Sequence, residues 1–251
     1  MNAASNNHQA KVLFAADVGG YSVNALDLAC RMAAAMRAPL RGLFVEDEDL
    51  LQLTGLPITR EISLMTAGER PTDVDQMQRA MRSQAGQFEA SLRREASALQ
   101  IGCSFEYVRG RVRDIGLRPD SSITYTIIEQ GGQLGSRLRT RRLPRRLLWI
   151  LQDPAREIPA LRVLLESSAR HQIELIIVGD AAEIDAIDEL ERWTQDPDYR
   201  VRVERWDPSR LEQQMASRPL AFDCAVISRR EKPERVVPIL KSLSCPVVLV
   251  A

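Results

Sequence analysis

The chain predicts an α/β fold of two tandem parallel-sheet domains, over residues 1–146 and 147–251. Continuous apolar runs such as VLFAAD (12–17) end in turn residues, which marks strands covered on both faces. Helix-period segments follow these runs, and strand–helix alternation implies a mainly parallel sheet with right-handed crossovers. The alternation then restarts at 147, so the second half repeats the plan of the first as a pattern and not as matched identities.

Taken in order, the strand 12–17 leads through VGGYS to a helix that Ser22 or Asn24 can cap. In that helix Ala25, Leu28, Ala29, Met32, Ala33 and Met36 fall at three- and four-residue spacing. LRGLFVED (40–47) is a second strand. The segment 48–75 is a long excursion with room for a short helix, and its length suggests a lid or a contact surface. Residues 76–100 read as an amphipathic helix with Met77, Met81, Phe88, Leu92 and Leu99 inward, followed by the strand 103–110 and a strand over 123–132 that runs into glycines.

In the second half, strands are expected at 147–153, 174–180, 199–207 and 222–230, with CPVVLV closing the chain. Helices are expected over 158–171, 184–194, 209–217 and 234–243. The strand near 147–152 can either close the first half or open the second.

Lys plus Arg and Asp plus Glu each total 34, so no overall field draws the chain to nucleic acid or anionic lipid. The first ten residues carry no positive cluster before an apolar run, and no window reaches the roughly 18 apolar residues of a membrane span, so a cytoplasmic, non-membrane protein is expected. Cys30, Cys103, Cys224 and Cys245 form no C-x-x-C pair and read as reduced core thiols. His8 and His171 are too few and too badly placed for a metal set or a histidine base, so no metal and no catalytic residue is assigned.

Two constellations carry chemistry. Asp17, with Gly19 and Gly20, lies at a strand end facing a helix start, where open parallel sheets collect ligands. The same Asp17 can instead satisfy turn amides while the glycines supply unusual backbone angles. Six arginines lie between Arg137 and Arg146; they can pair phosphates, RNA or an acidic partner, or form a solvated face balanced by acids such as Glu46, Asp47, Glu48 and Asp49. No aromatic residue interleaves with them, which disfavours nucleic acid.

VLFAADVGGYS with its helix, GLFVEDEDLLQLTGLPITREI and the closing SCPVVLVA together make the chain resemble a tandem universal stress protein, with the adenine nucleotide alpha-hydrolase-like fold. The resemblance covers nearly the whole chain and is weak between 110 and 146. It implies that Asp17 and the main chain near Val45 lie where ATP-binding members hold adenine and ribose. It also implies a phosphate loop of two glycines three apart, then a glycine with a hydroxyl residue. Gly132, Gly135 and Ser136 match its opening, whereas Arg145 stands where the third glycine belongs. The second half departs further: QDPARE keeps Asp153 but has Pro154, and EKPERVVPILKSLSC holds no glycine.

The expectation is therefore a non-catalytic, stress-associated binding or regulatory module with at most a partial nucleotide site in the first half. ATP or AMP is the ligand that the resemblance implies there, with slow ATP hydrolysis as the alternative. A further alternative is a pure interaction protein that meets an unknown protein partner through Arg139, Arg141 and Arg142 and the 48–75 excursion. Terminal strands pair domains in the family, so the tandem chain is expected to pair 147–151 with 246–250 as an intramolecular pseudo-dimer, with a homodimer also open.

Overall fold

Strand β1 (Val12–Asp17) has five buried residues before the half-buried Asp17, as expected for a strand covered on both faces. The computed structural model describes residues 11–56, 60–62, 69–71, 73–112, 114, 123–129, 144–167, 172–197, 199–217, 221–229, 233–243 and 245–251. After β1, helix α1 (Val23–Ala35) is capped by Ser22, whose hydroxyl accepts the Ala25 N–H at 3.1 Å. Strand β2 (Leu40–Asp47) follows, then the short helix α2 (Glu48–Thr54), which realises the helix expected in the excursion. Strands β3 (Arg60–Ile62) and β4 (Glu69–Pro71) pair antiparallel as a separate ribbon.

Helix α3 (Val74–Ala98) buries Met81, Phe88 and Leu92, while Met77 is half-buried. Leu99 is not inward: it caps the helix and is exposed, because the turn to the next strand ends the buried stripe. Strand β5 (Cys103–Gly110) lies at one sheet edge, which leaves Cys103 half-buried where a core thiol was expected. Cys30, Cys224 and Cys245 are buried and free. Strand β6 (Tyr125–Ile128) is shorter than its apolar run.

The second half comprises β7 (Arg146–Ile150), α4 (Pro154–Ser167), β8 (Gln172–Val178), α5 (Ala181–Asp185), α6 (Asp188–Gln195) and β9 (Arg200–Trp206). It ends with α7 (Pro208–Ser217), β10 (Cys224–Ser228), α8 (Pro233–Ser242) and β11 (Val247–Val250). Helix α4 starts at Pro154, earlier than the periodicity indicates, because proline suits a first helical turn. The single helix expected over 184–194 is two, with Ile187 at the break.

Nine strands form one mixed sheet in the order β5-β2-β1-β6-β11-β10-β7-β8-β9. Within each half the pairs are parallel, and the one antiparallel joint is β6 with β11. The halves consequently run in opposite directions and present their carboxyl ends at opposite ends of the sheet. The expected pairing of 147–151 with 246–250 does not form. Strand β7 sits between β8 and β10 of its own half, as β1 sits between β2 and β6, so both its edges are already occupied. Strand β11 instead closes the free edge of β6, with Val247 opposite Ile128 and Val250 opposite Tyr125. Strand β7 thus opens the second half.

One face of the sheet packs under α1, α3, α4 and α6, the other under α7 and α8. On the first face Phe88 meets Tyr21 at 4.8 Å, Phe14 at 5.3 Å and Phe105 at 5.8 Å between ring centroids. Gly42 makes room for this packing, since a Cβ there would stand 2.2 Å from Leu92 Cδ2 and the leucine side chain would have to shift.

Candidate functional site

At the carboxyl end of β1, Asp17 Oδ1 accepts the Gly19 N–H at 2.8 Å and the Asp17 carbonyl accepts the Gly20 N–H at 2.9 Å. Gly20 adopts φ 91°, a left-handed conformation that a side chain would strain. The turn-holding role for Asp17 is therefore present in the structure, and of the two glycines Gly20 supplies the unusual angle. Parallel register places Asp17 directly beside Val45, itself fully buried, so the two residues expected to share a ligand are neighbours at one sheet end.

Two positions beyond Val45, Asp47 Oδ1 accepts the N–H groups of Asp49 and Leu50 at 2.9 and 3.1 Å and caps α2. Asp49 in turn receives both Nε and Nη2 of Arg111 at 2.7 Å, a bidentate clamp from the residue that follows β5. These groups border a cavity of about 450 Å³ together with Asp114 and with Val237 and Lys241 from α8. The second half thereby contributes to the cavity at the first half's strand ends. Four carboxylates against two cations leave the lining with an excess of two negative charges, and Arg111 is already committed to Asp49.

Sequence reasoning missed Asp47, Arg111, Asp114 and Lys241 as lining groups. The available signal was positional: Asp47 ends the second strand as Asp17 ends the first, and Arg111 follows the third. Lys241 had none, because only the antiparallel joint brings α8 to this end. Of the acids expected to balance the arginine run, Glu46 takes the Tyr107 hydroxyl and Arg109 Nε at 2.8 Å each, and Asp49 takes Arg111. Burial works to raise the Glu46 carboxyl, but the bonds from Arg109 and Tyr107 outweigh it and hold the group below its ordinary value. Burial and Glu46 push the Tyr107 hydroxyl up to about 12.

On the α1 face, Glu129 follows β6 and is 7% exposed; its carboxylate accepts the main-chain N–H of Ser22, the cap of α1. Burial raises the Glu129 carboxyl, and the charge of Asp17 adds to that shift. The second half carries a counterpart. Fully buried Glu157 accepts Trp149 Nε1–H at 2.7 Å, the Gln152 N–H at 3.3 Å and the Asp153 N–H at 3.1 Å, which places a carboxylate on the turn between β7 and α4. Burial raises this carboxyl too, against the pull of the three donors. Neither glutamate was singled out from the sequence, since a lone Glu inside an apolar context carries no spacing signal.

Gly132, Gly135 and Ser136, and Arg139, Arg141 and Arg142, lie outside the described residues. The last two arginines of the run are structural: the N–H groups of Arg145 and Arg146 both donate to Asp223 Oδ2 at 2.9 Å, and Arg146 pairs with Glu174 at 2.9 Å. Among the described residues, no group of three His, Cys, Asp or Glu is arranged to hold a metal ion, and no helix is long and apolar enough to cross a membrane.

No protein-family model and no curated protein matches the chain. Among solved structures it is similar to the cytoplasmic domain of a prokaryotic cation chloride cotransporter, at 9% identity and a TM-score of 0.43, over 96% of this chain and 95% of that one.

Proposed function

We propose that the chain is a non-catalytic binding or regulatory module of the universal stress type, a cytoplasmic pseudo-dimer whose ligand cleft lies at the carboxyl ends of the first-half strands. The observation that carries this reading is Asp17, the register partner of Val45, lining a cavity of about 450 Å³. That is where the topology of an open parallel sheet collects ligands. The repeated strand arrangement, with β1 and β7 each central in their halves, supports the tandem character.

The ligand this cleft suits is nucleoside-like: a carboxylate at Asp17 to take ribose hydroxyls and a β2 main chain to meet a base. Adenosine, AMP and ATP titrated by calorimetry test the reading, with wild type against Asp17→Asn, which retains the acceptor for Gly19 and loses the charge. Adenosine binding that weakens in Asp17→Asn, with no ATP turnover, supports it. Equal binding by both proteins, or steady hydrolysis of ATP, contradicts it.

A further inference from the structure

We infer that the outer edge of β9 is a self-recognition surface, and that two copies of the chain join there as antiparallel strands centred on Val203. This is independent of the ligand cleft.

Strand β9 ends the nine-stranded sheet, and among the described residues no strand pairs with its outer side. The Trp206 carbonyl accepts the Gly179 N–H at 3.2 Å, so the Trp206 main chain faces the β8 side. Main-chain groups alternate in direction along a strand. Arg200, Arg202, Glu204 and Trp206 therefore spend theirs on β8, while Val201, Val203 and Arg205 turn their N–H and C=O groups outward. Such an open edge is a template for another strand, and RVRVERW holds no proline or glycine to blunt it.

The side chains select the occupant. Arg202 and Glu204 lie on the face of Trp206. Glu204 is half-buried and accepts Arg210 Nη2 at 2.5 Å, whereas exposed Arg202 forms no ion pair among the described residues. With a twofold axis through Val203, the outward residues match: Val203 exchanges both N–H···O bonds with its own copy, and Val201 does so with Arg205 of the second copy. Arg202 then stands opposite Glu204 of the second copy, and Glu204 opposite its Arg202, in the non-hydrogen-bonded pairs where side chains come closest. On the other face the half-buried Val203 meets its own copy and extends the rim of the core.

Neighbouring registers fail on charge. An axis through Val201 sets Arg200 against Arg202, and axes through Arg202, Glu204 or Arg205 set each of these against itself. Like charges directly opposite are destabilising, so the sequence specifies the Val203 register. The far edge of the sheet offers no equivalent. In β5, Glu106 and Arg109 point to opposite faces, so an antiparallel mate cannot bring them together, and they pair within the chain with Arg41 and Glu46.

Sedimentation velocity on the full chain, over a concentration series up to about 100 μM, tests the inference for wild type, Arg202→Glu, Glu204→Arg and an equimolar mixture of the two variants. Wild type is expected to dimerise reversibly. Each single change sets like charges opposite in both cross-strand pairs and is expected to weaken the dimer at least roughly tenfold. In the mixture every position 202 meets a position 204 of opposite sign, so association at least about tenfold tighter than in either variant alone is expected. Wild type that stays monomeric, a dimer that tolerates Arg202→Glu, or a mixture no tighter than its components overturns the inference.

Should Glu204→Arg not fold because Arg210 loses its acceptor, amide hydrogen exchange of wild type at low and high concentration decides. Exchange slowed at Val201, Val203 and Arg205 in the concentrated sample supports the β9 edge, and exchange unchanged at Val203 overturns it.

Discussion

Replacing Glu157 by alanine removes the acceptor of three hydrogen bonds at once. Trp149 is fully buried, so its indole N–H has no water to turn to, and an unsatisfied buried donor costs about 1–3 kcal/mol. The Gln152 and Asp153 amides sit on an exposed to half-buried turn and recover water, losing only the net value of a bond, roughly 0.5–1.5 kcal/mol each. Relief of the buried carboxylate's desolvation, the cause of its raised titration, offsets part of this. The net loss is about 2–4 kcal/mol.

Glu157→Gln separates charge from geometry. The remaining oxygen can stay with Trp149 and Gln152, but its NH2 then faces the Asp153 N–H, donor against donor, for a loss of about 1–2 kcal/mol. Urea unfolding followed by far-ultraviolet circular dichroism measures both variants, and a cycle with Trp149→Phe isolates the indole bond, with an expected coupling of about 1–2 kcal/mol. If Glu157→Ala unfolds within about 0.5 kcal/mol of wild type, or shows no coupling to Trp149, Glu157 does not hold this junction.

Other predictions concern packing and titration. Gly42→Ala drives a methyl into Leu92 and is expected to cost about 1–3 kcal/mol in urea unfolding, with a smaller cost when it is made in a Leu92→Ala background. Phe88→Ala empties the centre of the ring cluster and is expected to lose about 3–5 kcal/mol, read as a lowered denaturation midpoint. Glu129 has a folded titration point above the ordinary 4.5, so the folded state holds its proton more tightly. Wild type should therefore lose stability relative to Glu129→Gln as pH rises through and beyond 4.5; a difference that stays flat from acid to neutral pH contradicts this. Glu46 has the opposite sign: its contribution is present above 4.5 and is lost as pH falls through its lowered folded value, so Glu46→Gln should differ from wild type more at neutral than at strongly acid pH.

Elements with a strong local signal were legible in the sequence. VLFAAD, LRGLFVED and the long helix before Cys103 appear where apolar period and turn residues place them. The split of 184–194 and the early start of α4 were not, since both depend on short-range breaks inside an unbroken periodic pattern. Pairing order was less legible still. Nothing in VVLV says that its partner is YTII and not LLWI; that choice follows from which edges remain open once each half has assembled.

The same holds for the cleft. Asp17 could be read from a strand end and Val45 followed only from the resemblance, whereas Lys241 reaches the cavity only through the antiparallel joint. Glu129 and Glu157 look in sequence like any surface acid. Their burial is a property of the assembled junction, where a main-chain donor awaits each of them.

Amide chemical-shift mapping of wild type during an adenosine titration tests the ligand cleft most directly. Saturable shifts are expected to cluster at Asp17, Val45 and Lys241, at the carboxyl ends of the first-half strands. Shifts that cluster instead around Asp153, at the second-half junction, would contradict it.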